Sequence, residues 1–347
     1  DRIVTASGFV LEGDVSTKSL RLEVDGEKES VRVSELLTLE VLIEGRPVLS
    51  ENFTGDWMTS FGPMRLTQTG TRVEGTYGFG DEFRIEGDVD GAVLTFVARE
   101  SNGKSEGTFE LWEDSETFTG QFRFNGGDER FWGAYRSGGA LPEPSPGEVT
   151  TGQSASGLNL YLRVPKAWKA GEDWPAVALL HGSNMSARAY VDTFVASWPE
   201  LAEEFVLLGL DGERLSSASR EGARAFNYTY INFSGPGVGA TWVQRQSPAL
   251  VAEALDEVKG ALELRHWIVG GHSQGGFLTW AVALFFPESV VGAFPMSCNL
   301  LVQCEPDYGY FTDREDLMAR QRELALAPIH GARDGVVDTD IAILPSY

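Results

Sequence analysis

A chain of 347 residues with 42% hydrophobic residues, among them 9 Trp and 20 Phe, has apolar surface for more than one core, and its length exceeds the usual single domain. Its formal net charge of −23 repels phosphate backbones and anionic membrane surfaces, which argues against a nucleic-acid partner. No run approaches the ~20 apolar residues of a membrane span, and two cysteines are too few for a disulfide scaffold or a Cys-based zinc site.

From residue 1 to about 136 the chain reads as short alternating runs broken by Gly, Asp and Asn, for example SLRLEV at 19–24, MRLTQ at 64–68, VLTFV at 93–97 and GTFELW at 107–112. Period-two alternation with turn residues at short intervals predicts antiparallel strands closed into a barrel or packed as a sandwich. Gly75, Gly87 and Gly120 fall inside such runs, where glycine permits sharp curvature. GRPVLSE at 45–51 interrupts the pattern, so we expect a small β unit over 1–48 and an antiparallel β-barrel module over 49–136. The meander at 53–77, FTGDWMTSFGPMRLTQTGTRVEGTY, resembles a small β-barrel module appended to many bacterial proteins.

Residues 137–156 read as a Pro/Gly/Ser linker, because such residues cannot build a packed core. Beyond it the rhythm changes. Continuous apolar runs AVALL (176–180), FVLLGL (205–210), WIVG (267–270) and VGAF (291–294) alternate with helical stretches such as 249–262. That alternation predicts an α/β fold, a mostly parallel sheet with helices on both faces.

Gly271-His272-Ser273-Gln274-Gly275 matches G-x-S-x-G between an apolar strand and a helical run, the context in which that motif exposes a serine hydroxyl on a strained turn. Together with LYLRVP at 160–165, AVALLHG at 176–182, GGHSQGGFLTWAVALFFPESVVGAF at 270–294 and IHGARDGVV at 329–337, it resembles the α/β-hydrolase superfamily. The likeness is narrower to its polyhydroxybutyrate-depolymerase-like and phospholipase/carboxylesterase-like esterases, and it covers 157–347. The resemblance implies Ser273 as nucleophile, Asp334 as the acid that orients the base, and the backbone N–H groups of Ser183 and Gln274 as an oxyanion hole, with no cofactor and no metal. No histidine follows Asp334, where the family carries its general base. His181, His266, His272 and His330 sit at places where a structural role is expected. The base is therefore expected beyond Tyr347, and the chain as given is expected to be truncated and inactive alone.

Other candidates carry blander readings. Asp338 and Asp340 are expected to cap a helix rather than substitute for Asp334, and Asp211 is expected to be a solvated loop charge rather than part of a ligand-facing loop. The aromatic stretch 226–233 lines a pocket or packs a lid, Trp242 and Trp280 read as core, and Cys298 and Cys304 form a short-range disulfide or sit as small apolar residues. The leading function is a serine esterase acting on a small-molecule or polymer ester. The alternatives are a serine peptidase of the same fold and a non-catalytic binding protein. Export is favoured over the cytoplasm. The N-terminal β modules are a spacer or a polysaccharide- or surface-binding accessory.

Overall fold

The computed structural model describes residues 52–78, 80, 82–228, 246–298 and 324–329, with short strand segments within 2–48 and 303–310. The segments before residue 49 pair antiparallel as small two- and three-stranded sheets.

Eight strands follow: β1 Gly55–Thr59, β2 Gly62–Thr69, β3 Arg72–Tyr77, β4 Phe83–Asp90, β5 Val93–Glu100, β6 Gly103–Leu111, β7 Thr117–Phe124 and β8 Glu129–Arg136. Each pairs antiparallel with the next, and β8 returns to β1 through Ala134↔Thr59, so the sheet closes. Alternation decides the faces: in β2, Met64 and Leu66 are buried while Arg65 and Thr67 are exposed. Eight strands leave an interior that side chains can fill. Trp132 occupies its middle, with the rings of Phe61, Tyr77, Phe96, Phe109 and Phe122 centred 4.9 to 5.6 Å away. The strand glycines permit the tight curvature: a Cβ on Gly75 or Gly120 would collide with the carbonyl of Arg65 or Thr108 on the neighbouring strand.

The second half builds a seven-stranded sheet from β9 Val149–Gln153, β10 Asn159–Arg163, β11 Ala176–Leu180, β12 Val206–Leu210, β13 Trp267–His272, β14 Val290–Met296 and β15 Ala325–Leu326. Their spatial order is β9-β10-β12-β11-β13-β14-β15. The sheet is parallel except around one strand. β10 runs antiparallel to both β9 and β12, while β12, β11, β13, β14 and β15 run together. Helices α1 Ala187–Ser197, α2 Gln246–Leu262 and α3 Gln274–Phe285 cover it. Val177 and Leu179 of β11 pack with Val191 of α1 on one face. Ala176, Ala178 and Leu180 pack with Leu255 of α2 and Leu278 of α3 on the other. From Gln274 to Leu284 every residue of α3 is buried, which marks a helix enclosed by core rather than a surface helix.

The stretch expected to be linker is ordered chain. Val149–Gln153 is the edge strand of the sheet, and Gln153 fastens the two halves. Its side chain donates to Arg136 O (2.7 Å) and accepts from Gly139 N–H (2.7 Å). Met58 and Tyr135 of the barrel form one fully buried cluster with Leu215 and Phe226. The barrel is docked on the α/β unit through this cluster.

Candidate active site

Strand register brings three loops to one edge of the sheet. Gly271 of β13 pairs with Leu180 of β11, which pairs with Leu210 of β12. The segments 271–275, 181–187 and 211–213 therefore leave the sheet side by side, at the carboxyl ends of parallel strands where open α/β sheets bind ligands.

Ser273 stands between β13 and α3 at φ +53°, ψ −115°, a region that costs a non-glycine residue about 1–3 kcal/mol. The turn is held by packing that only glycine allows. A Cβ on Gly275 would press on the carbonyls of Leu180 and His181, and one on Gly271 would sit 2.5 Å from the Gly275 carbonyl. Ser273 N–H donates to Met296 O (2.9 Å), pinning the turn to β14. A serine at a helix start ordinarily spends its hydroxyl on capping. Here Gly276 and Phe277 N–H both donate to the Ser273 carbonyl instead, and the side chain makes no capping bond. Among the described residues the hydroxyl has no hydrogen-bond partner, and the residue is half-buried. Among the described residues no hydrogen bond takes the Gln274 amide at the positive end of α3 or the Ser183 amide; such orphan donors are what an anion can use.

The loop carrying Ser183 is tightly held. Gly182 lies against the ring and carbonyl of His272. Asn184 adopts φ +57°; its N–H donates to Asn227 Oδ1 (3.0 Å), and Ser216 Oγ donates to its Oδ1 (2.5 Å). Met185 O accepts the N–H of Phe226 (2.8 Å).

His181, expected to be structural, has both ring nitrogens engaged. Nε2 accepts the N–H of Gly212 (3.1 Å), so Nδ1 carries the proton and donates to Gly182 O (2.7 Å). The ring is fully buried, stacks on Tyr228 at 4.6 Å, and burial pulls its pKa down to about 4. His266 precedes β13 at the far end of that strand, and His272 is exposed beside Gly182. His330 and Asp334 lie outside the described residues, as do Trp242, Asp338 and Asp340. The strand leading to them reaches the same edge: Ser297 N–H donates to Ile329 O and Ile329 N–H to Pro295 O, both at 2.9 Å.

Asp211 is corrected outright. It is fully buried, accepting hydrogen bonds from Ala187 N–H (2.7 Å), Tyr161 Oη (2.9 Å) and Asn159 Nδ2 (3.3 Å). Burial pushes its carboxyl up to about 6 against the pull of those bonds. Of the aromatic stretch, Phe226 and Tyr228 are buried packing residues; 229–233 lie outside the described residues. Trp280 is core. Cys298 is buried against Gly276, and the side chain of Cys304 is outside the described set.

No family model matches the sequence, and no curated protein matches it. Among solved structures the chain is similar to a carboxylesterase from Mesorhizobium loti, at 18% identity over 53% of this chain and 91% of that one with a TM-score of 0.35. It is similar to esterase PE8 at 14% identity, over 50% and 92% of the two chains, with a TM-score of 0.35. A hydrolase from Pseudomonas aeruginosa is similar at 19% identity and a TM-score of 0.29, over 46% of this chain and about half (49%) of that one. Likeness at this level leaves the chemistry to the site itself.

Proposed function

We propose that the protein is a serine ester hydrolase in which Ser273 attacks the ester carbonyl and forms an acyl-enzyme that water then cleaves. The observation that carries this reading is the placement of Ser273 at φ +53° on a turn that needs glycine at 271 and 275, with a hydroxyl that caps no helix and has no hydrogen-bond partner among the described residues. A residue kept in a costly conformation while its side chain does no capping work fits a nucleophile.

Attack turns the carbonyl oxygen into an oxyanion. The amides of Gln274 and Ser183 are the donors proposed to receive it, with the α3 dipole adding to the field at Gln274. Ser273 cannot ionise unaided near neutral pH, so an imidazole must take its proton. His181 is unsuited, because its Nε2 is filled by Gly212 and its proton is committed to Gly182. Asp334 is proposed to orient the imidazole that serves. Carboxylic esters, small or polymeric, are the proposed substrates, with no cofactor. The docked barrel is proposed as a spacer or a surface-binding accessory to the same enzyme.

The natural full-length protein and its Ser273→Ala variant, assayed on p-nitrophenyl esters, test the reading. Hydrolysis should vanish in the variant with its circular dichroism unchanged. Equal turnover in both proteins rejects the mechanism, and no turnover in the natural protein favours a binding role.

A further inference from the structure

One carboxylate ties the exit of the loop bearing Ser183 to a neighbouring strand. Asp211 Oδ1 accepts the N–H of Ala187, where the loop enters α1 (2.7 Å). Oδ2 accepts Tyr161 Oη at 2.9 Å and Asn159 Nδ2 at 3.3 Å, both from β10. The next residue, Gly212, donates to His181 at the start of the same loop. The chain of bonds continues outward, since Asn159 Oδ1 accepts from Gln153 Nε2 (2.9 Å), which also donates to Arg136 O on the last barrel strand (2.7 Å). We propose that Asp211 is a positioning residue, whose carboxylate fixes the loop that presents the Ser183 amide and whose link through Asn159 and Gln153 ties that loop to the docked barrel. This rests on the reading of Ser273 as an ester-cleaving nucleophile.

Among the described residues every hydrogen-bond partner of the carboxylate is a donor, which suits the ionised form. Of these partners only the Tyr161 oxygen could accept from a protonated Asp211, and gaining that bond turns the hydroxyl away. Arg224 lies close enough to favour the charge; Tyr135 from the barrel, Tyr161, which Arg188 also reaches, and Tyr228 feel it in turn. Glu213, two residues on, is buried and engaged by Ser247 Oγ, and His181 is neutral. Burial lifts the Asp211 carboxyl to about 6, so it gives up its charge at mildly acid pH. A shift of an oxyanion donor by about 1 Å costs up to ~100-fold in rate.

The test is kcat and KM against pH for the natural full-length protein, Asp211→Asn and Tyr161→Phe on p-nitrophenyl acetate. Asparagine keeps the shape but turns an amide donor on donors, so kcat at pH 8 should fall about tenfold or more while KM stays within about twofold. Tyr161→Phe removes a bond to the ionised carboxylate, so the acid inflection of the kcat profile should move to higher pH; a catalytic imidazole would not respond in this way. A folded Asp211→Asn protein with unchanged kcat at pH 8 overturns the inference. So does a Tyr161→Phe profile that superposes on the natural one, and this second variant decides if the first does not fold. Absence of turnover in the natural protein removes the underlying reading and the inference with it.

Discussion

The side chain of Gln274, the residue after Ser273, pairs with the backbone of Tyr228 as a strand would: Oε1 accepts Tyr228 N–H at 3.1 Å and Nε2 donates to Tyr228 O at 3.0 Å. Tyr228 in turn donates its hydroxyl to Leu210 O (2.7 Å) and receives the N–H of His181 (3.2 Å). One buried residue thereby fixes the start of α3, the end of β12 and the root of the Ser183 loop.

Gln274→Glu should break half of that pairing, because a carboxylate cannot donate to the Tyr228 carbonyl. A buried unsatisfied acceptor facing a charge costs about 1–3 kcal/mol or more. We expect a midpoint shift of that size in urea unfolding and a kcat reduced about tenfold or more. Unchanged stability and rate would show that the pairing is not formed in solution.

His181 should stay neutral to unusually low pH. Its folded pKa lies below its unfolded value, so the native state binds fewer protons between about 6.5 and 4 and stability is lost as pH falls through that window. The shift down to about 4 corresponds to about 3 kcal/mol. Asp211, raised to about 6, contributes the opposite slope over part of the same range, so a bulk unfolding curve mixes the two. Nitrogen chemical shifts of the His181 ring read it alone: they should show an Nδ1–H tautomer through pH 5.5. Titration near 6.5 would contradict the buried, doubly bonded ring.

Tyr135 is fully buried, and among the described residues its hydroxyl has no hydrogen-bond partner. Removing such a group relieves a desolvation cost. Tyr135→Phe should therefore leave stability unchanged or raise it by up to about 1 kcal/mol. A loss above that, by chemical denaturation, would mean the hydroxyl is bonded after all.

Phe226 packs its ring edge-on to Tyr135 at 5.5 Å, in the cluster through which the barrel meets the α/β unit. Phe226→Ala should cost about 3–5 kcal/mol and make the junction near residues 137–148 more sensitive to protease. Proteolysis at the natural rate would mean that the two units are held together by other contacts.

The parallel strands were legible because AVALL, FVLLGL and WIVG are continuous apolar runs that only a sheet covered on both faces buries. The turn at Ser273 was legible because its glycines mark where backbones must touch. Strand β9 was missed for the opposite reason: VTTGQ is an edge strand with no residue fully buried, so it carries no alternation and reads as linker. Asp211 was missed because one Asp after an apolar run looks the same solvated or buried. What decides it is Tyr161 and Asn159, some 50 positions away on an antiparallel neighbour, and nothing local announces that pairing.

Intact-mass spectrometry of the natural full-length protein after incubation with a fluorophosphonate tests the assignment most directly, since the reagent bonds only to a serine that is both nucleophilic and supported by oxyanion donors. The expected result is one adduct per chain, located by peptide mapping to Ser273 and absent from Ser273→Ala. No adduct, or an adduct on another serine that persists in the variant, would contradict it.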